Sequence, residues 1–203
     1  GNSLSATGGN VYIESGSSDT ESSGQVTLMT PTSGANGMSG AIQINTGNAN
    51  LGSSGSMSLA SGSSTNSGGD LVVTAGYGAE KGGNIVLSAG SSSTSTGGAV
   101  SLTSGESKSA SASGQILLQT GNAIGNGASG SLTVETSNAG YEGSSGAIVL
   151  GTGAAQTGTS GSMSLSTGAS QQAGGISIAV GASASGVGGS VSVHAGTSAS
   201  STG

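Results

Sequence analysis

The chain has 203 residues, a formal net charge of −6 and only two basic residues besides one histidine, Lys81 and Lys108. That balance excludes a cationic surface able to displace counterions from nucleic acid or to anchor on an anionic membrane. There is no cysteine, so neither a disulfide scaffold nor a thiolate zinc site can form, and no apolar run approaches the roughly 20 residues of a membrane-spanning helix.

Glycine supplies 43 residues, charged side chains 5% and aromatics 1%. Such bias usually marks disorder. Here, however, large apolar residues recur at fixed places from one end of the chain to the other. The first phrase runs from Gly9 to Gly16, with Val11 and Ile13 on one face and Tyr12 on the other. The second opens at Gly24 (Val26, Leu28) and closes on Pro31, which suits a strand end because proline cannot donate to a ladder. Phrases then open at Gly40 (Ile42, Ile44), Gly55 (Met57, Leu59) and Gly69 (Leu71, Val73). Gly83 (Ile85, Leu87) and Gly98 (Val100, Leu102) follow. The second half opens phrases at Gly114 (Ile116, Leu118), Gly130 (Leu132, Val134) and Gly146 (Ile148, Leu150). Gly161 (Met163, Leu165), Gly174 (Ile176, Ile178) and Gly189 (Val191, Val193) complete the set.

That makes 13 repeats, and the 180 residues from Gly9 to Gly189 give a mean step of 15, with single steps of 13 to 16. Counting each opening glycine as zero, every repeat carries a large apolar residue at +2 and at +4. Position +6 is Ser, Thr or Ala in all but one repeat, where it is Val180. Alternation of period two places +2, +4 and +6 on one face of an extended segment. A slip of one residue would turn every aliphatic to the other side. Between phrases lie tracts of turn-forming residues such as Ser91 to Thr96 and Ser107 to Ser113, which vary in length while the phrases do not. Glycine every few residues disfavours helix.

One strand per repeat, repeated 13 times, predicts an all-β protein: a parallel β-solenoid, or β-helix, forming a single repeat array over 1–203. Two repeats per coil, giving two facing sheets, absorb the length variation in the loops. One or three repeats per coil and a twisted antiparallel meander are the alternatives. Both termini fall inside the repeat phase without a polar cap, which suggests a piece of a longer chain with open strand edges.

Position +3 should face solvent, yet Val72, Val86, Leu117 and Val149 occupy it. With two repeats per coil, Val86, Leu117 and Val149 fall on successive rungs of one sheet. The stripe is either plain strand propensity or an assembly contact with another sheet or chain.

The sequence offers no constellation for catalysis, cofactor or metal. His194 is alone at +5. Asp19 and Glu21 share one loop, and Glu135 and Glu142 flank another, without a supporting shell for acid–base work. Gly125-Asn-Gly-Ala-Ser-Gly130 spells a dinucleotide fingerprint, but no helix follows it. Gly68-Gly-Asp70 is a solitary echo of a calcium nonapeptide, and outward threonines such as Thr27 and Thr103 are too scattered for ice binding. There is no Asn-x-Ser/Thr sequon, although the Ser/Thr loops can carry O-linked glycans.

Gly-Gly-Asp-Leu-Val-Val-Thr-Ala-Gly (68–76) and Gly-Gly-Asn-Ile-Val-Leu-Ser-Ala-Gly (82–90) resemble the repeats of large Gly/Ser/Thr-rich surface proteins. Algal cell-surface and flagellar-hair proteins are more similar than filamentous haemagglutinin-like adhesins, whose coil is longer. The resemblance covers nearly the whole chain and implies an extracellular or cell-surface, elongated, non-enzymatic protein, with no residue roles to carry over. The expectation is therefore a structural component of an extracellular filament or fibre, a rod built by strand stacking and lateral packing that self-associates or joins other filament chains. The alternative is an adhesin stalk or a glycan-binding module. Neither nucleic acid nor membrane insertion is expected.

Overall fold

The computed structural model describes residues 1, 7–109 and 111–198, so Ala110 in the Ser107 to Ser113 tract and the expected open edge at Gly203 lie outside it. The described residues contain no helix, no strand and no buried side chain. This overturns the expected all-β parallel solenoid with two facing sheets. The chain exposes 19950 Å². A globular protein of 18.4 kDa would expose roughly 8,200 Å² and its unfolded chain roughly 26,700 Å², so most of the surface that folding normally removes from water is still wet. The physical reason is composition. Two large apolar side chains per fifteen residues are a thin supply against the entropy of ordering glycine-rich loops, and a strand exists only where its backbone finds a partner.

The chain divides into two segments, Gly1–Ser101 and Leu102–Gly203. Within each, the repeat dictates a consistent local geometry. Where +3 is also large, exposure follows the alternation in four phrases, Ile85 and Leu87 being 53% and 73% exposed against 81% for Val86, but not in the first, where Val11 is more exposed than Tyr12. Ile148, Val149 and Leu150 show the same order at 51%, 87% and 76%. Ser192 at +3 and His194 at +5 lie on one side of their phrase, close enough for Ser192 Oγ and His194 Nε2 to hydrogen-bond, as an extended backbone requires.

What the chain does close is the loop between phrases. At every junction except the one at Gly174, the +6 side chain of one repeat comes within 4 Å of where a Cβ on the next opening glycine would go. A Cβ on Gly83 would lie 3.2 Å from Ala75 Cβ, and one on Gly98 would lie 3.4 Å from Ala89 Cβ. The closing glycines at +7, such as Gly16, Gly76 and Gly90, have nothing within 4 Å. The two glycines of a phrase thus have different reasons. The opening one permits a close approach; the closing one has open space around it.

The identity of the +6 residue decides how far the loop base closes. Where it is serine or alanine, the next opening glycine donates its amide to the closing carbonyl. Gly24 N–H reaches Gly16 O at 2.8 Å, Gly83 reaches Gly76 at 3.0 Å, Gly98 reaches Gly90 at 2.8 Å and Gly114 reaches Gly105 at 3.0 Å. Gly69 to Gly62 is looser at 3.5 Å. Ser15 Oγ adds a second link by donating to Gly24 O at 2.8 Å. Where +6 is threonine or valine, no such bond forms among the described residues. There the threonine Cβ or Cγ2 stands against the glycine instead, as Thr30 does at Gly40 and Thr120 at Gly130. A β-branched side chain carries two heavy atoms on Cβ and turns stiffly, which crowds the base at these junctions; at Gly174, after Thr167, the base is open with no atom within 4 Å of the glycine's Cβ position.

The loop interior has its own signature, at +9. Ser18 Oγ accepts from Glu21 N–H at 2.9 Å, Ser92 Oγ from Ser95 N–H at 3.0 Å, and Ser64 Oγ from Asn66 N–H at 3.1 Å. Ser107 Oγ accepts from Ser109 N–H at 3.4 Å. All four stand nine residues after their opening glycine, and they bend the chain by the local hydroxyl-to-backbone bonding that serine favours. In two of the four 16-residue repeats, those opening at Gly24 and Gly130, a further turn closes just beyond, from Gly37 N–H to Gly34 O and from Gly143 N–H to Gly140 O, each at 3.2 Å. Among the described residues only Gly125 (φ 83°) and Gly186 (φ 115°) use the left-handed region. Replacing Ser92 with alanine should remove the acceptor of Ser95 N–H and speed its amide exchange by about 2- to 10-fold, the worth of one net hydrogen bond. Amide exchange followed by NMR reads this directly, and the Gly98 amide in the same loop serves as the unchanged reference.

Candidate assembly surface

The surface follows from the alternation. Across all 13 repeats no charged residue stands at +2, +4 or +6. The charges that fall within phrases take odd positions: Asp70 at +1, Glu14 and Glu135 at +5. The rest lie in loops, including the exposed Lys108–Glu106 pair at 3.6 Å, a contact of small energetic weight at such exposure. The even positions of each phrase are therefore uncharged and mostly aliphatic; the large apolar residues at +2 and +4 are all exposed, while Ser15, Thr30, Ser104 and Thr120 at +6 are half-buried. The main chain beside them lacks backbone partners, although Ser88 Oγ donates to the Ala89 carbonyl. Among the described residues the backbone–backbone hydrogen bonds lie at loop bases and turns, and none has its donor or acceptor at +1 to +6.

Val86, Leu117 and Val149, the residues expected as an assembly stripe, are each strongly exposed. Val86 belongs to the first segment, Leu117 and Val149 to the second. The sheet rungs that were to align them are absent from the described residues, so the three stand as separate outward aliphatics. Tyr12, Tyr77 and Tyr141 are also exposed.

Among the described residues no cavity is found, and no group of three or more His, Cys, Asp or Glu could hold a metal ion. No helix among the described residues is long and apolar enough to cross a membrane. The +6 residue was legible in the sequence as small, but its role against the following glycine was not. The +9 position was missed altogether, although it is Ser, Ala or Gly in every repeat. Aligning the loops from their opening glycine, rather than treating them as spacers, would have found it. No protein-family model, no curated protein and no solved structure matches the chain.

Proposed function

We propose that the chain is a structural component of an extracellular filament or fibre that assembles from its own copies. One observation carries this reading: the large apolar residues at +2 and +4 of all 13 repeats stay in contact with water in the single chain. Apolar surface left in water is a driving force for association, at about 25 cal/mol per Å² removed, and exposed apolar patches mark interfaces. Repetition suits a polymer, because each repeat offers a neighbour the same contact. With only ten charged side chains per copy, the electrostatic cost of packing copies side by side is small. Placement outside the cell rests on the resemblance of 68–76 and 82–90 to surface-protein repeats. The exposed Ser/Thr loops are the places for O-linked sugars, and Val86, Leu117 and Val149 are lateral contacts.

Electron microscopy of the chain at rising concentration tests the proposal. Filaments are expected, and they should thin into fewer lateral bundles when Val86, Leu117 and Val149 are all changed to serine. A chain that stays as single particles would overturn the reading. The three exposed tyrosines favour the second reading, a glycan-binding adhesin module, since aromatic faces stack on sugars. Retention on a glycan panel by a chain that forms no filaments would establish it.

A further inference from the structure

We infer that the uncharged even face of the phrases, together with the unpaired main chain along it, is the docking surface for a second copy of this chain. This rests on the filament reading and names the surface that reading leaves open. Three observations select the occupant. The chain exposes 19950 Å², roughly 11,800 Å² more than a globular protein of its mass, while a stable interface needs only about 1,200–2,000 Å². The face is uncharged at +2, +4 and +6 throughout and recurs every 15 residues on average. A partner that meets this face repeat after repeat must carry the same spacing, and a second copy does. The amides and carbonyls of +1 to +6 are free of intrachain backbone partners among the described residues. An extended segment with both backbone edges unpaired is a template for pairing with another chain. The contact therefore has two parts: aliphatic against aliphatic across the even face, and main-chain hydrogen bonds between copies along the phrases. The acids at odd positions stay in water, which keeps like charges out of the contact.

The test is sedimentation velocity on the full chain, comparing Leu87→Asp with Leu150→Asp as even-face variants and Asn84→Asp with Ser88→Asp as odd-face controls. Each even-face change should weaken association by roughly 10- to 100-fold, the loss of one buried aliphatic from the contact. The controls should associate as the parent does, since Asp70 and Glu135 already place acids at the same offsets. Retained protection of the Gly83 and Gly98 amides shows that the loops are intact in every variant. If the parent assembles and the even-face variants assemble equally well, the docking surface is wrong while the filament reading stands. If association occurs but phrase amides stay unprotected, the main-chain part is wrong. A parent chain that never associates overturns both.

Discussion

Replacing Gly83 by valine should open the loop base at 76–83, whereas the same change at Gly90 should leave its loop intact. A Cβ on Gly83 meets Ala75 Cβ at 3.2 Å, and the Gly76 backbone N and O at 3.4 and 3.5 Å. Two of these three neighbours are main chain, which cannot rotate away. Valine adds two further carbons, so Ala75 and the base must shift to admit it. The bond from Gly83 N–H to Gly76 O, 3.0 Å long, is worth only about 0.5–1.5 kcal/mol net, so a small opening of the base is enough to break it. The amide of residue 83 should then lose its whole protection. A Cβ on Gly90 meets nothing within 4 Å, and the Gly98 amide should remain bonded to the residue 90 carbonyl. Protection measured by NMR at residues 83 and 98 decides the matter; equal loss in both variants would contradict the assignment of different roles to the two glycines.

The second result concerns +6. Ala89→Thr should abolish the bond from Gly98 N–H to Gly90 O, and Thr120→Ala should create a new one from Gly130 N–H to Gly121 O. The first places a branched side chain at a base that is now closed at 2.8 Å. The second removes Oγ1 and Cγ2 of Thr120, of which Cγ2 stands 3.8 Å from the Cβ position of Gly130, and keeps Cβ. Protection of about 2- to 10-fold should disappear at Gly98 and appear at Gly130. A gain is the stronger half of this test, because a loss can follow from any disturbance. Unchanged exchange at Gly130 would show that the threonine does not hold the base open.

These two expectations show what the sequence carries and what it leaves undetermined. Period-two placement of Ile85 and Leu87 against Val86 was legible, because side-chain direction follows from backbone geometry alone. The loops were legible as turn-forming, because serine and glycine act locally. The sheet was not legible in the same way. Alternation says which residues would share a face if a strand were paired, but pairing depends on a partner and on the balance of burial against chain entropy. In the single chain that balance leaves the phrases unpaired, and a repeat of alternating phrases does not by itself dictate a solenoid. The stripe of Val86, Leu117 and Val149 depended on that same step. The role of +6 was hidden for a different reason: it is a contact between one repeat and the next, visible only when the loop base is seen closed.

The measurement that tests the account most directly is amide hydrogen exchange along the whole chain, first dilute and then assembled. In the dilute chain the opening-glycine amides of Gly24, Gly83, Gly98 and Gly114 should be protected, while phrase amides such as Ile85, Val86 and Leu87 exchange freely. In the assembled material those phrase amides should become protected as well. Phrase amides already protected in the dilute monomer, or still free after assembly, would contradict the claim that copies of the chain complete what each leaves open.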